Sequence, residues 1–355
     1  MKAADKFQQG VIGVLTGAQR KKAAFTTNIF VLSKIWNLLK VAVKYIFRLE
    51  WIDVYPIVVK IDDSPLCQLK CPVCIHSSTV NLGVGKQNFV NKKMDLDLFR
   101  KIVDEVAGKS LVISFGHMGE PLLNTDTYKM IRYASDNGMN SYLTTNFSMN
   151  ISDENMHALV TSGLTILTVA LDGFTQEVFE ISRVNGNLSM VKDNLERLID
   201  LRNKLGIKTL TIEAQTVEFE HNAHEIQEIV DYCKMLGVDK HYLGPGEEVN
   251  WVTANQPANN PKKAKLVPYC AWPFFTILIV YDGRVIPCAC YRLPDTYKDD
   301  KKKINFGSVL DSSLLSVFNG KEYNMTRRMM HNPSLHHDSM EGSFCHECQV
   351  INDEL

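Results

Sequence analysis

Six apolar, β-branched segments alternate with amphipathic segments between residues 54 and 246, and this alternation constrains the fold more than any other feature. The predicted strands cover residues 57–61, 111–115, 141–145, 166–171, 209–215 and 240–243. Between them, apolar residues recur every three to four positions, which predicts helices over 95–107, 125–137, 153–162, 189–204 and 223–236. Strand–helix alternation favours parallel strands with the helices outside. Because six repeats are fewer than the eight of a closed barrel, we expect an α/β fold built as a partial (β/α)6 barrel, with its chemistry at the carboxyl ends of the strands.

The segments on either side of this alternation differ from it in composition. Residues 1–53 include a helical pattern and form a predicted N-terminal helical extension. Residues 247–268 are rich in Asn, Pro and Lys, which is typical of a linker or of a loop that covers substrate. Two apolar runs joined by Asp282 and Gly283 then predict a β-hairpin in a small cysteine-rich C-terminal domain. The predicted domain boundaries are therefore 1–53, 54–246 and 247–355.

The N-terminal helical pattern has one polar stripe and a wide apolar face. The stripe consists of Ser33, Asn37, Lys40, Lys44 and Arg48, and the apolar face includes Phe30, Leu32, Ile35, Trp36, Leu39, Val43 and Phe47. The charges interrupt any run of about 20 apolar residues, the length needed to cross a membrane. Two interpretations stay open. The helix packs on the main domain, or it makes a peripheral contact with the surface of an anionic membrane.

Charge and cysteine content narrow the class of function. The chain has 39 basic and 40 acidic residues, so it lacks the basic excess expected of a nucleic-acid-binding protein. No apolar secretory leader opens the sequence, and we expect a cytoplasmic protein. Its nine cysteines are clustered, and in a reducing compartment clustered thiols are more often metal ligands than disulfides.

Three of these cysteines, Cys67, Cys71 and Cys74, lie within eight residues just after the first predicted strand. A structural zinc ion takes four protein ligands. Three thiolates with no fourth nearby instead leave one iron of a four-iron cluster open, and an open iron can bind a small molecule. The spacing therefore predicts a catalytic cluster.

The spacing C-x3-C-x2-C after the first strand of such a chain resembles that of the radical S-adenosylmethionine (SAM) superfamily. Further matches follow in the family's order. Gly119 and Glu120 resemble the motif that holds the SAM amino group, Thr145 and Asn146 resemble the segment that meets its ribose and carboxylate, and Asp172 with Arg183 resembles a later SAM-binding pair. The chain departs from the pattern at Val73, where an aromatic residue is usual, and at Met118, where the motif has a glycine.

The resemblance implies a definite chemistry, which belongs largely to the cofactor. A [4Fe–4S] cluster would bind SAM, and one electron would cleave SAM to a 5′-deoxyadenosyl radical that abstracts hydrogen from a substrate. A donor such as flavodoxin or ferredoxin would supply the electron. The protein would orient the reactants and exclude water.

A second cysteine set lies near the C-terminus. Cys270 and Cys288 flank the predicted hairpin, and Cys345 and Cys348 come close to the end of the chain. Four thiolates can fully ligate a cluster. The arrangement resembles the twitch domain, a short form of the SPASM domain, and implies one auxiliary [4Fe–4S] cluster. A four-cysteine zinc site is the alternative that spacing alone permits.

Two cysteines remain outside these sets. Cys233 lies among apolar residues of a predicted helix and is expected to be a packed core thiol. Cys290 lies two residues past Cys288. Since radical epimerases use a thiol to return hydrogen to the substrate, Cys290 is a candidate hydrogen donor.

Three functions stay open on this basis. The first is dehydrogenation or epimerisation of a polar small molecule of the sugar or aminocyclitol type, as in twitch-domain enzymes. The second is a peptide-modifying maturase, although the residues before the first strand look too short and too helical for a winged-helix recognition domain. The third is a non-catalytic iron–sulfur electron carrier, which would have no use for Gly119, Glu120, Thr145 and Asn146.

Overall fold

A computed structural model describes residues 31–47, 49–72, 74, 92–246, 270–286, 288 and 306–331. Within these residues the strands form one eight-stranded sheet in the order β6-β5-β4-β3-β2-β1-β7-β8. The strands are β1 Val58–Asp62, β2 Val112–Phe115, β3 Asn140–Thr145, β4 Ile166–Ala170, β5 Thr211–Glu218, β6 Lys240–Pro245, β7 Thr276–Val280 and β8 Val285–Ile286. Strands β1 to β6 pair in parallel in sequence order, which confirms the six-repeat α/β architecture.

The predicted hairpin also forms, but it joins the barrel sheet. Strand β7 pairs in parallel with β1, and β8 pairs antiparallel with β7. Gly283 in the turn has a φ of 82°, a conformation that glycine adopts at little steric cost. The sheet therefore continues across the predicted boundary at residue 246, and the domain boundaries stay a prediction.

Helices cover the outside of the sheet. They are α1 Leu32–Phe47, α2 Leu96–Val106, α3 Thr127–Asp136, α4 Asp153–Thr161, α5 Gln176–Ser182, α6 Leu188–Lys204, α7 Ile226–Leu236, α8 Trp272–Phe275, α9 Leu314–Phe318 and α10 Lys321–His331. The side chains of Asp95 and Ser152 cap α2 and α4, since each accepts a backbone N–H group at the start of its helix. Helices α3, α6 and α7 begin at Thr127, Leu188 and Ile226, within three residues of the predicted starts, and the seven-residue α5 is too short to show a clear period.

The two faces of the strands differ in chemistry. The outward residues pack against the helices and form the buried core; they include Val59, Ile61, Ile113, Leu143 and Val169. The inward face of the same strands carries Lys60, Ser114, Tyr142 and Gln215, which line a cavity inside the barrel. Alternation along each strand thus separates an apolar core from a polar interior.

Helix α1 packs on the main domain, but through its polar side. Lys34 donates to the carbonyl of Gly138 at 2.8 Å, and Asn37 exchanges hydrogen bonds with the backbone of Tyr55. Lys44 donates to the carbonyl of Ile52 at 2.9 Å. Helices α2 and α3 end beneath α1, and helix C-termini offer unpaired carbonyls and a negative dipole end that attract cations and amides. Val41 and Tyr45 are also buried on this side, Tyr45 against the rings of Phe274 and Phe275, whereas the large apolar side chains of Leu32, Trp36, Leu39, Val43 and Phe47 are exposed and face outward.

No helix in the described part of the chain is long and apolar enough to cross a membrane.

Candidate active site

A cavity of about 510 Å³ opens at the carboxyl ends of the barrel strands. Its lining contains every residue predicted for the catalytic cluster and for SAM, namely Cys67, Cys71, Cys74, Gly119, Glu120, Thr145, Asn146, Asp172 and Arg183. These residues come from the end of β3, from the loops after β1 to β4 and from the end of α5. The fold therefore brings together side chains that are up to 116 positions apart in the chain.

The three cysteines are partly buried in the loop after β1. Burial, together with the nearby Glu120, Cys71 and Cys74, raises the pKa of Cys67 to about 12. Burial also raises the pKa of Cys71. Thiols in this setting need a positively charged partner to ionise, and an iron cluster supplies one. The donor set therefore fits an iron–sulfur cluster.

The described residues contain no group of three or more His, Cys, Asp or Glu side chains arranged for a single metal ion.

Backbone contacts hold the cysteine loop against its neighbours. The N–H of Glu120 donates to the carbonyl of Leu66 at 2.7 Å, and the N–H of Lys70 donates to the carbonyl of Val184 at 2.9 Å. Gly119 makes the first contact possible, because a Cβ at this position would stand 2.0 Å from the carbonyl oxygen of Ser64. The glycine is required by close approach of two loops rather than by an unusual φ.

Substituting alanine for Gly119 should therefore displace the cysteine loop. We expect the free energy of unfolding to fall by about 3 kcal/mol, the upper range for inserting one methyl group where backbone must move. Chemical denaturation measures this change, and SAM titration of the reconstituted protein measures the accompanying loss of affinity. Gly244→Ala is the matched control, since a Cβ there meets no atom within 4 Å. Equal stability of the two variants would contradict the steric argument.

Glu120 joins the loop after β2 to the end of β3. Its carboxylate accepts hydrogen bonds from the Thr145 hydroxyl at 2.7 Å, from the Asn146 N–H at 2.7 Å and from the Leu122 N–H at 3.2 Å. The side chain is buried, and burial raises its pKa to about 7 against these three donors. A cationic ligand in the cavity would favour the ionised form.

The end of β3 brings two threonines to the cavity lining, the predicted Thr145 and its neighbour Thr144. The Thr145 hydroxyl donates to Glu120 and accepts from the N–H of Phe147 at 2.9 Å, while its neighbour Thr144 lines the cavity and is exposed there. Asn146 accepts from the amide of Gln68 at 2.8 Å, and its own amide lies 3.8 Å from the sulfur of Cys67. Thr145 and Asn146 therefore hold Glu120 and the cysteine loop in place.

Asp172 and Arg183 form an ion pair at the cavity wall. The Nε and Nη2 atoms of Arg183 donate to one carboxylate oxygen of Asp172 at 2.7 and 2.5 Å, and the other oxygen accepts from the N–H of Val217 at 2.8 Å. Burial lowers the pKa of Arg183, but Asp172 and the sulfur of Cys71 outweigh it and raise that pKa overall. A fixed positive charge therefore stands beside the cluster cysteines.

Four polar residues on the inner face of the barrel were missed by motif reasoning. Lys60, Ser114, Tyr142 and Gln215 line the deeper part of the cavity, with the Lys60 ammonium 3.4 Å from the Ser114 hydroxyl. The two-residue alternation of side-chain direction along each strand could have identified them, since each is a polar residue at an inward position of a mostly apolar strand. His117 also lines the cavity, whereas His221 does not and instead stacks on Phe219.

The second cysteine set is only partly visible. Cys270 and Cys288 lie on either side of the β7–β8 hairpin and are partly buried. Cys290, Cys345 and Cys348 lie outside the described residues. Cys233 is buried in the core, as predicted, and burial raises its pKa to about 11.

Two family models match the chain. The radical SAM superfamily model matches residues 61–233, and the model of an iron–sulfur cluster-binding domain, SPASM, matches residues 270–349. The chain therefore belongs to the radical SAM superfamily and carries a C-terminal iron–sulfur cluster-binding domain. The two domains imply [4Fe–4S] clusters and SAM as cofactors of an enzyme.

Curated relatives have several different activities. The tungsten-containing aldehyde ferredoxin oxidoreductase cofactor-modifying protein of Pyrococcus furiosus is 25% identical, over 74% of this chain and 80% of its own length. The AdoMet-dependent heme synthase of Methanosarcina barkeri is 26% identical over 53% of this chain, and the PqqA peptide cyclase of Bradyrhizobium diazoefficiens is 24% identical over 59%. The chain spans about half the length of these last two relatives.

Solved structures share the fold. Streptococcus suis SuiB bound to S-adenosylmethionine superposes with a TM-score of 0.58 at 15% identity, covering 89% of this chain and 76% of SuiB. The structure of anSMEcpe with bound AdoMet gives a TM-score of 0.54 at 16% identity, covering 83% and 86%. Similarity at this level of identity concerns the fold alone.

Proposed function

We propose that this enzyme cleaves SAM reductively in the barrel cavity and uses the resulting radical to remove a hydrogen atom from a polar small molecule. The observation that carries the proposal is the convergence of three cysteines, Glu120 and the Asp172–Arg183 pair on one cavity, next to a polar barrel interior. When bound, the cluster and SAM supply the radical. The residues of the chain bind, orient and shield the reactants.

Each group in the cavity has a proposed task. Cys67, Cys71 and Cys74 hold the catalytic cluster, and Glu120 with the backbone of Gly119 receives the SAM amino group. Thr144 and Asn146 face the ribose and carboxylate side of SAM, while Thr145 positions Glu120. The ion pair of Asp172 and Arg183 keeps a positive charge beside Cys71, where the SAM carboxylate would also be attracted.

The inner face of the barrel indicates the chemistry of the substrate. Lys60 on β1 places an ammonium beside the hydroxyl of Ser114, and Tyr142 and Gln215 add further hydrogen-bonding groups. Polar side chains that line a cavity are complemented by polar groups on the ligand that fills it. We therefore favour a substrate with hydroxyl groups and an anionic group within reach of Lys60, dehydrogenated or epimerised at a neighbouring carbon.

The C-terminal cysteines complete the proposal. Cys270, Cys288, Cys345 and Cys348 would ligate one auxiliary [4Fe–4S] cluster, and Cys290 would be the hydrogen donor if the reaction is an epimerisation. A flavodoxin or ferredoxin would reduce the catalytic cluster.

A peptide substrate is the second candidate. It is favoured by the relatives, since one is named a PqqA peptide cyclase and one solved structure shows SuiB bound to its precursor peptide SuiA. The polar interior described above suits a side chain of a peptide as well as a small molecule.

Deuterium transfer separates these candidates. Reduced enzyme and SAM would be incubated with an extract of cells grown in deuterated medium, divided by ultrafiltration into small-molecule and polypeptide fractions. We expect mass spectrometry to find deuterium in 5′-deoxyadenosine with the small-molecule fraction. Label from the polypeptide fraction alone would favour the maturase, and unlabelled 5′-deoxyadenosine from both fractions would contradict hydrogen abstraction from either class.

A further inference from the structure

Helix α1 presents a continuous apolar stripe to its surroundings. The stripe residues follow helical spacing, and the most exposed are Leu32 at 84%, Trp36 at 66%, Leu39 at 53% and Phe47 at 66%. Val43 and Ile46 fill the positions between them, and Trp51 just after the helix is 78% exposed. Such a concentration of large exposed apolar residues on one helix marks an interaction surface.

Polar contacts on the opposite side fix this orientation. Lys34, Asn37 and Lys44 are each buried under the helix and hydrogen-bonded to backbone carbonyls of the main domain. Lys44 also donates to the side chain of Asn319 at 3.2 Å. Rotating α1 to bury its apolar stripe would leave the carbonyls of Gly138, Lys109 and Ile52 without these donors, at a cost of about 1–3 kcal/mol for each buried group left unsatisfied. The stripe is therefore held outward by the fold.

Helix α1 lies at the end of the barrel opposite to the candidate active site. Its partners Gly108, Lys109, Gly138 and Tyr55 all precede strands, so α1 lies across the amino ends of β1 to β3. The candidate active site lies at the carboxyl ends. A surface that covered the stripe would leave the cavity mouth open on the far side of the barrel.

Charge is distributed unevenly along the chain. Residues 1–53 contain nine Lys and Arg against three Asp and Glu, a net charge of +6, while residues 54–355 contain 30 against 37, a net charge of −7. Two of the nine, Lys34 and Lys44, are engaged beneath α1, which leaves seven basic residues in this segment, five of them between residues 2 and 22 and two, Lys40 and Arg48, at the stripe. A basic segment with an apolar helical face matches the surface of an anionic bilayer.

We propose that α1 and Trp51 dock this enzyme on the surface of an anionic lipid bilayer, with the apolar stripe in the headgroup region and the active site facing away. Trp36 and Trp51 suit this depth, because tryptophan favours the membrane–water interface. A second copy of the chain fits less well, since two copies meeting through this face would bring two extensions of charge +6 together.

Vesicle flotation tests the proposal. The full-length protein would be mixed with phosphatidylcholine vesicles that contain or lack phosphatidylglycerol, beside a Trp36→Asp/Leu39→Asp double variant. Since both side chains are exposed, the variant should keep its thermal unfolding midpoint. We expect the wild type to float with the anionic vesicles only, and the double variant to bind at least about 100-fold more weakly, from the loss of two apolar contacts.

Met235→Asp is the matched control, because Met235 is 73% exposed on α7 and lies outside the stripe. It should float as the wild type does. Failure of the wild type to float with anionic vesicles, or equal binding by the double variant, would overturn the proposal. Light scattering without vesicles adds one more outcome: a dimer that the double variant dissociates would assign the stripe to a second copy instead.

Discussion

Glu120→Gln should lower the rate of SAM cleavage by about 100-fold or more. The substitution removes the negative charge of the Glu120 carboxylate, which we propose binds the SAM amino group. Removing one partner of a buried charge pair costs about 2–5 kcal/mol of binding energy. It also places an amide N–H₂ group among three donors, the Thr145 hydroxyl and the N–H groups of Asn146 and Leu122. Formation of 5′-deoxyadenosine by the reduced enzyme, measured by liquid chromatography, checks the effect.

Asp63→Asn separates this effect from a general loss of fold. Asp63 is also fully buried, burial raises its pKa to about 7, and it accepts hydrogen bonds from Thr127 at 2.5 Å and Asn124 at 3.2 Å. It does not line the cavity. The Asn variant should lose stability to a similar degree yet cleave SAM within a few-fold of the wild-type rate. Comparable losses of activity in both variants would show that Glu120 acts only through the fold.

Arg183→Met should destabilise the protein by about 3 kcal/mol, because it leaves the buried carboxylate of Asp172 without its partner. Arg183 is partly exposed, so we take the lower end of the range for broken buried pairs. The variant also removes the positive charge next to Cys71, and the iron content after reconstitution should fall with it. Chemical denaturation and iron analysis measure the two effects.

Arg132→Met serves as the control for this substitution. Arg132 pairs with Asp136 on the exposed face of α3, where an ion pair in water contributes little. Its loss should barely change stability or iron content. If Arg183→Met behaved like Arg132→Met, the ion pair at the cavity would have no special role.

Most of the candidate site could be predicted because its residues follow the strand order. The cysteines, Glu120, Asn146 and Asp172 each come just after a strand of the parallel sheet, and such strand ends meet at one edge. The cavity then follows from topology alone. Strand order could not show that Thr145 bonds to Glu120 rather than Thr144. That depends on the backbone just after β3, where Phe147 has a φ of 56° and the Thr145 hydroxyl donates to Glu120.

The orientation of α1 shows a different limit. An amphipathic period indicates that one face is buried, and in a soluble protein this is usually the apolar face. Here the surface beneath the helix consists of carbonyl groups at the ends of α2 and α3, which select Lys34 and Asn37 instead. That surface exists only after the barrel has assembled, so the helix sequence alone could not reveal it.

SAM cleavage by the anaerobically reconstituted enzyme with dithionite tests the central claim most directly. The wild type and the buried-thiol control Cys233→Ala should both form 5′-deoxyadenosine, and the triple variant Cys67→Ala/Cys71→Ala/Cys74→Ala should form none above background while keeping its C-terminal cysteines. Equal product from the triple variant would contradict the assignment of the catalytic cluster, and no product from a wild type shown to hold its clusters and tested with both extract fractions would contradict SAM cleavage itself.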